Sequence, residues 1–121
     1  MSLIALLIDD SMLIRHTVGR FLEGRGFSVE TATDGVAALE KLKIIRPDII
    51  FTDLQMPRLD GYALINALKS NPETAAIPVL VLAAKPTSGD LKETGAHSII
   101  YKDLNVEAQL TQALERLFPS S

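Results

Sequence analysis

Short apolar runs alternate with segments of helical period along this chain, and few folds accept that order. Leu3–Ile8 reads as a buried strand, Phe27–Thr31 as an alternating edge strand and Asp48–Asp53 as a third strand. Ile77–Ala83 is almost wholly apolar and therefore belongs inside a sheet, and His97–Tyr101 forms a fifth strand. Between them, Met12–Arg25 gathers Ile14, Val18, Phe21 and Leu22 on one helical face, and Gly35–Ile45 gathers Val36, Leu39 and Leu42. Tyr62–Ser70 turns Leu64, Ile65 and Leu68 inward. Val106, Leu110, Ala113, Leu114 and Leu117 share a face of the last helix. Lys85–Thr94 completes the series as a fourth helix, which Pro86 and Gly89 make short or ragged. The punctuation agrees. Asp10 or Ser11 caps the first helix and Gly24 or Gly26 ends it; Asp34 opens the second and Pro47 stops it. Asn71-Pro72 breaks the third, Asn105 caps the last and Pro119 ends it.

Strands that alternate with helices form a parallel sheet with helices on both faces. The expected architecture is α/β: a single doubly wound, flavodoxin-like domain with a five-stranded parallel sheet in the order 2-1-3-4-5 and five helices. At 121 residues the chain fits one domain, 1–121, and 47% hydrophobic residues suffice for a core without staples. Cysteine is absent, which excludes disulfides and thiolate metal sites and suits a cytoplasmic setting. A net charge of −3 argues against a nucleic-acid surface. The longest apolar run, Ala75–Ala84, is too short for a bilayer and is interrupted by Pro78, and no signal-peptide pattern opens the chain.

In this topology ligands bind beyond the carboxyl ends of the strands, at the switch point between the first and third. Asp9 and Asp10 follow the first strand, Asp53 ends the third and Lys102 ends the fifth. Three clustered carboxylates repel one another unless a cation lies among them. Oxygen ligands with waters suit Mg²⁺, and a nearby lysine suits a phosphoryl oxygen. The pattern points to Mg²⁺-dependent phosphoryl chemistry on an aspartate. Taken singly, each residue is equally well read as a helix cap or a surface charge; the argument lies in all four sharing one sheet edge. His16 reads as solvated, His97 has no partner at ligand spacing, Tyr62 and Phe118 read as packing, and Met12 and Met56 lie beside apolar neighbours.

Ile8-Asp9-Asp10-Ser11, Asp53-Leu54-Gln55-Met56-Pro57 with Asp60-Gly61 following, and Gly95-Ala96 shortly before Lys102 together resemble a response-regulator receiver domain of a two-component phosphorelay, over the whole chain. The resemblance implies a signalling domain rather than an enzyme, with no more than weak self-phosphorylation and dephosphorylation. Asp53 is implied as the phosphoacceptor, charged by a histidine kinase or phosphotransfer protein. Asp10 is implied to bind Mg²⁺ directly, with Asp9 acting through water or orienting the shell and the Gln55 backbone carbonyl adding a ligand. Lys102 is implied to pair with Asp53 and then with the phosphoryl group. Output is implied to pass through the face formed by the fourth helix, fifth strand and fifth helix, toward a second copy or a downstream protein.

Three departures from the family bear on that output. Ala83 stands where the family usually has Ser or Thr, Ile99 where it often has an aromatic switch residue, and Asp103 where proline usually follows the lysine. Without proline, the bond after Lys102 is expected to be trans, since a cis bond there costs about 2.5–4 kcal/mol. A second function is therefore weighed, a receiver-like interaction module whose output is independent of phosphorylation. A phosphohydrolase is disfavoured because Gln55 cannot act as an acid or base. A flavodoxin and a P-loop enzyme are disfavoured by the lack of a phosphate-binding loop.

Overall fold

In a computed structural model, residues 3–54, 59–83, 96, 98–102 and 105–118 of the chain are described. Five strands form one sheet in the order β2-β1-β3-β4-β5, with every neighbouring pair parallel. They are β1 (Leu3–Ile8), β2 (Phe27–Ala32), β3 (Ile49–Asp53), β4 (Val79–Ala83) and β5 (Ser98–Tyr101). Four helices lie among the described residues: α1 (Met12–Gly24), α2 (Gly35–Leu42), α3 (Gly61–Ser70) and α4 (Val106–Leu117). The fourth helix expected from the sequence, over Lys85–Thr94, lies outside the described residues, so the expected fifth helix is α4 here. The flavodoxin-like order 2-1-3-4-5 is the one expected.

The period-2 alternation of the strands divides the core into two layers. On one face, Leu6 and Ile8 of β1, Ile50 of β3 and Val79, Val81 and Ala83 of β4 pack with Ala38, Leu64, Ile65 and Leu68 of α2 and α3. On the other, Ala5, Leu7, Ile49, Phe51, Leu80, Leu82 and Ile100 pack with Val18, Leu22, Leu110 and Leu114 of α1 and α4. Every residue of β3 and β4 is buried, as strands covered on both faces must be. Each fully buried leucine or isoleucine contributes about 1.5–3 kcal/mol.

Each helix starts on a short polar side chain that accepts from an otherwise unpaired backbone N–H. Ser11 serves Ile14, Asp34 serves Ala37, Asp60 serves Ala63 and Asn105 serves Ala108. Such caps contribute about 1 kcal/mol each.

Two side chains and one helix end depart from the sequence reading. Val36, expected inward, is 37% exposed, and α2 instead buries Gly35, Ala38 and Leu42. The small residues bring the helix close: a Cβ on Gly35 would lie 2.5 Å from the Leu59 carbonyl oxygen. The same helix ends at Leu42, short of the expected Ile45, and Ile44 projects outward. Tyr62, read as packing, is exposed on the first turn of α3, and Met12 is exposed on the first turn of α1. Phe118 is a packing residue, with its ring edge-on to Phe27 at 5.8 Å.

The outer edge of the sheet at β5 is covered from α4. Gln109 Oε1 accepts from the Tyr101 backbone N–H at 2.8 Å, and Gln109 Nε2 donates to the Tyr101 carbonyl at 3.0 Å. Lys102 N–H, pointing the other way, donates to the Ala83 carbonyl of β4 at 2.8 Å. Lys102 is thereby held at the end of the sheet from one side through its own backbone and from the other through its neighbour.

Candidate functional site

Ile8 and Thr52 are register partners, so β1 and β3 end side by side and deliver their acids to one place. The carboxylate oxygens of Asp9, Asp10 and Asp53 can all lie within 4.8 Å of one another. Asp9 is fully buried, Asp10 is exposed and Asp53 is 9% exposed. The cluster is therefore a shallow acidic well with a buried floor and an open rim.

Asp9 is held through nearly every polar atom it has. Its N–H donates to the Ala32 carbonyl at the end of β2 (3.1 Å), and its Oδ1 accepts from the Ser11 N–H (2.8 Å). Its carbonyl accepts from Arg15 Nη1 at 2.7 Å. The remaining atom, Oδ2, is ion-paired with Lys102 Nζ at 2.7 Å. One ammonium does not neutralise three acids, and the carboxylates of Asp9, Asp10 and Asp53 form the hard, oxygen-only donor set that suits Mg²⁺.

Lys102 Nζ also lies 3.2 Å from Asp53 Oδ2, so one ammonium bridges the acids of β1 and β3 from the end of β5. Burial by itself pulls the lysine's pKa down. Its contact with Asp9 and the charges of Asp9 and Asp53 outweigh that, and the net shift is upward. The lysine stays charged throughout the physiological range. One ammonium against three carboxylates still leaves the well short of positive charge.

The floor beneath Asp53 is backbone. Gly61 N–H donates to the Leu54 carbonyl at 2.9 Å, which seats the start of α3 directly on the end of β3. A Cβ on Gly61 would overlap the Asp53 carbonyl oxygen and lie 2.7 Å from Leu54 Cα, so only glycine permits this approach. Thr52 Oγ1 donates to the same Asp53 carbonyl at 2.9 Å. Gln55, Met56 and Pro57 fall outside the described residues, as do His97 and Asp103.

The structure thus brings Asp9, Asp10, Asp53 and Lys102 together. Ala83 and Ile99, the two departures that are described, both lie on the α2–α3 face of the sheet, with Tyr101 beside them. Two participants escaped the sequence reading. Arg15 looks like an ordinary polar residue of α1, although its charge near a helix N-terminus opposes the helix dipole and was a signal available in advance. Gly61 was legible as part of the Asp60-Gly61 pair, but its contact with the Asp53 backbone was not.

Residues 5–115 match the response regulator receiver domain family. The gliding motility regulatory protein of Myxococcus xanthus is 42% identical over 116 residues, 93% of this chain and 15% of that protein. Protein PilG of Pseudomonas aeruginosa is 44% identical over 80 residues, 66% of this chain and 59% of that protein. The chain therefore spans only part of the length of these relatives. Among solved structures, the signal receiver domain of a signal transduction histidine kinase from Syntrophus aciditrophicus superposes with a TM-score of 0.87 at 32% identity, covering 96% of this chain and 89% of that one. The chemotaxis response regulator CheY4 of Vibrio cholerae does so with a TM-score of 0.85 at 30% identity, covering 97% and 99% respectively.

Proposed function

Because the chain belongs to the response regulator receiver domain family, we propose that it is a Mg²⁺-dependent phosphoacceptor of a two-component phosphorelay, one domain over residues 1–121, with Asp53 as the acceptor. The observation that carries this reading is the convergence of Asp9, Asp10 and Asp53 within 4.8 Å of one another, with the two buried acids bridged by the Lys102 ammonium.

Asp53 attacks the phosphorus of a phosphohistidine on a histidine kinase or phosphotransfer protein. The P–N bond breaks, its electron pair stays on the imidazole, and an acyl phosphate forms on Asp53. A carboxylate nucleophile needs placement and charge neutralisation more than acid–base help. Gly61 and Thr52 supply placement by fixing the Asp53 backbone. Lys102 supplies charge, moving from the Asp53 carboxylate to a phosphoryl oxygen. Asp10 and Asp53 with the Gln55 backbone carbonyl would hold the metal, and Asp9 would support it through water or by orienting the other acids. When bound, Mg²⁺ supplies the positive charge that lets phosphoryl oxygens approach three carboxylates. Met12 and Leu13, both more than 70% exposed just beyond the acid pair, offer a protein donor apolar surface beside the site. The cysteine-free sequence suits a cytoplasmic location, and among the described residues no helix is long and apolar enough to cross a membrane.

The test is intact-mass measurement after incubation with a small phosphodonor and Mg²⁺. Wild type gains one phosphoryl group and Asp53→Asn gains none. A wild-type protein that binds Mg²⁺ yet stays unmodified refutes the reading. Ala83 and Ile99 favour a second reading, an interaction module whose output ignores phosphate, because they are apolar where the family couples site to surface. In that case partner binding is the same for wild type and Asp53→Asn.

A further inference from the structure

The peptide plane between Asp9 and Asp10 carries both acid side chains, one from the Cα at each end. The carbonyl of that plane is the group to which Arg15 Nη1 donates, at 2.7 Å. Arg15 stands in the first turns of α1, its own N–H bonded to the Ser11 carbonyl at 3.0 Å, and it is half-buried. A cation near a helix N-terminus opposes the helix dipole, so this placement has a local cost. Asp9 N–H is tied to β2, Asp9 Oδ1 to Ser11 and Asp9 Oδ2 to Lys102 Nζ, so the Asp9 side is already fixed. The bond from Arg15 to the carbonyl fixes the peptide plane beyond it, and with that plane the direction in which the chain carries Asp10.

We propose that Arg15 is a positioning residue for the metal site: by pinning the Asp9–Asp10 peptide it fixes how the two acids face a divalent cation. The inference rests on the Mg²⁺ reading above. Its sign separates it from plain electrostatics. A positive charge near the well repels Mg²⁺, so removing Arg15 tightens binding if charge is all that matters, and weakens binding if position is what matters.

The experiment is calorimetric Mg²⁺ titration of wild type, Arg15→Met, Arg15→Lys and Arg20→Met, each first shown to be folded by thermal melting. Arg20 is exposed on the same helix and controls for loss of one positive charge. Arg15→Met is expected to weaken Mg²⁺ binding about tenfold, the low end of what outer-shell partners cost. Arg15→Lys, which keeps a donor, recovers part of that, and Arg20→Met shows no weakening. Tighter or unchanged binding in Arg15→Met overturns the proposal. Metal-free amide spectra test it separately, since failure of wild type to bind Mg²⁺ sinks only the metal reading. Arg15→Met should shift the Asp10 and Ser11 amides in the absence of any cation, and unmoved amides overturn the pinning itself.

Discussion

At the ends of β1 and β3 the site is made of three carboxylates, while at the ends of β4 and β5 it is made of Lys102 beside Ala83 and Ile99. The first side is stiff and polar: Asp9 is tied to Ala32, Ser11 and Arg15, and Asp53 rests on Gly61 and Thr52. Among the described residues the second side has one charge, reaching across to its neighbours, and otherwise apolar packing. On the reading proposed above, the acids that would accept the phosphoryl group lie at β1 and β3, Lys102 reaches them from β5, and the positions that would report it lie at β4 and β5. At those reporting positions the sequence lacks the hydroxyl and the aromatic ring common in the family. A ligand shifts a conformational equilibrium only through contacts that differ between the two states. Among the described residues, the β4–β5 side offers few such contacts apart from Lys102.

The largest expected effect comes from cutting the link between the two sides. Lys102→Met leaves Asp9 and Asp53 without the ammonium, and metal-free stability should fall by about 3 kcal/mol. Added Mg²⁺ should restore much of it, because a cation binding only the folded form stabilises by mass action. Urea unfolding with and without a chelator measures both. A loss below about 1 kcal/mol would mean that the acid side sustains itself and the contrast is weaker than drawn. Next, Gly61→Ala drives a methyl into the Asp53 backbone and should cost about 2 kcal/mol by the same measurement. Its phosphorylation should slow more than its stability alone explains, since the acceptor's backbone moves.

On the other side, Ala83→Thr returns a hydroxyl at the end of β4. It should contribute about 1.5 kcal/mol to the phosphoryl-bound state, the low end for a hydrogen bond to a charged group. Amide shifts on adding a phosphoryl mimic should then spread from Lys102 over Ser98–Tyr101, whereas in wild type they stay local. Equal spread in the two proteins removes the missing hydroxyl as the limit. The smallest effect concerns pH. Because the folded pKa of Lys102 is raised, its contribution to stability is complete below the unfolded lysine value of about 10.4 and is lost as pH rises through the higher folded value. Wild type should show an alkaline loss of stability that Lys102→Met lacks.

The strand order and four of the site residues were legible in advance for one reason. Asp9, Asp10, Asp53 and Lys102 each terminate an apolar run, and in a parallel sheet all such termini share an edge. What escaped depends on contacts between segments distant in sequence. Helical period alone favoured Val36, but the approach of Gly35 to Leu59 draws α2 in on its small residues. Tyr62 reads as packing by composition and is exposed because Gly61, pressed onto the Asp53 backbone, sets the rotation of α3. Arg15 carries no motif, and its role exists only once the turn at Asp9 is folded.

The two bonds from Gln109 to Tyr101 have a consequence for assembly. Alternate residues of a parallel strand direct N–H and C=O to the same side, so those of Tyr101 are the outward pair nearest the site. An open pair there is a template on which another chain can extend the sheet. The glutamine amide occupies it as a strand's peptide group would. Whatever docks on this flank beside Lys102 must therefore recognise side chains, since strand addition is closed to it at that point.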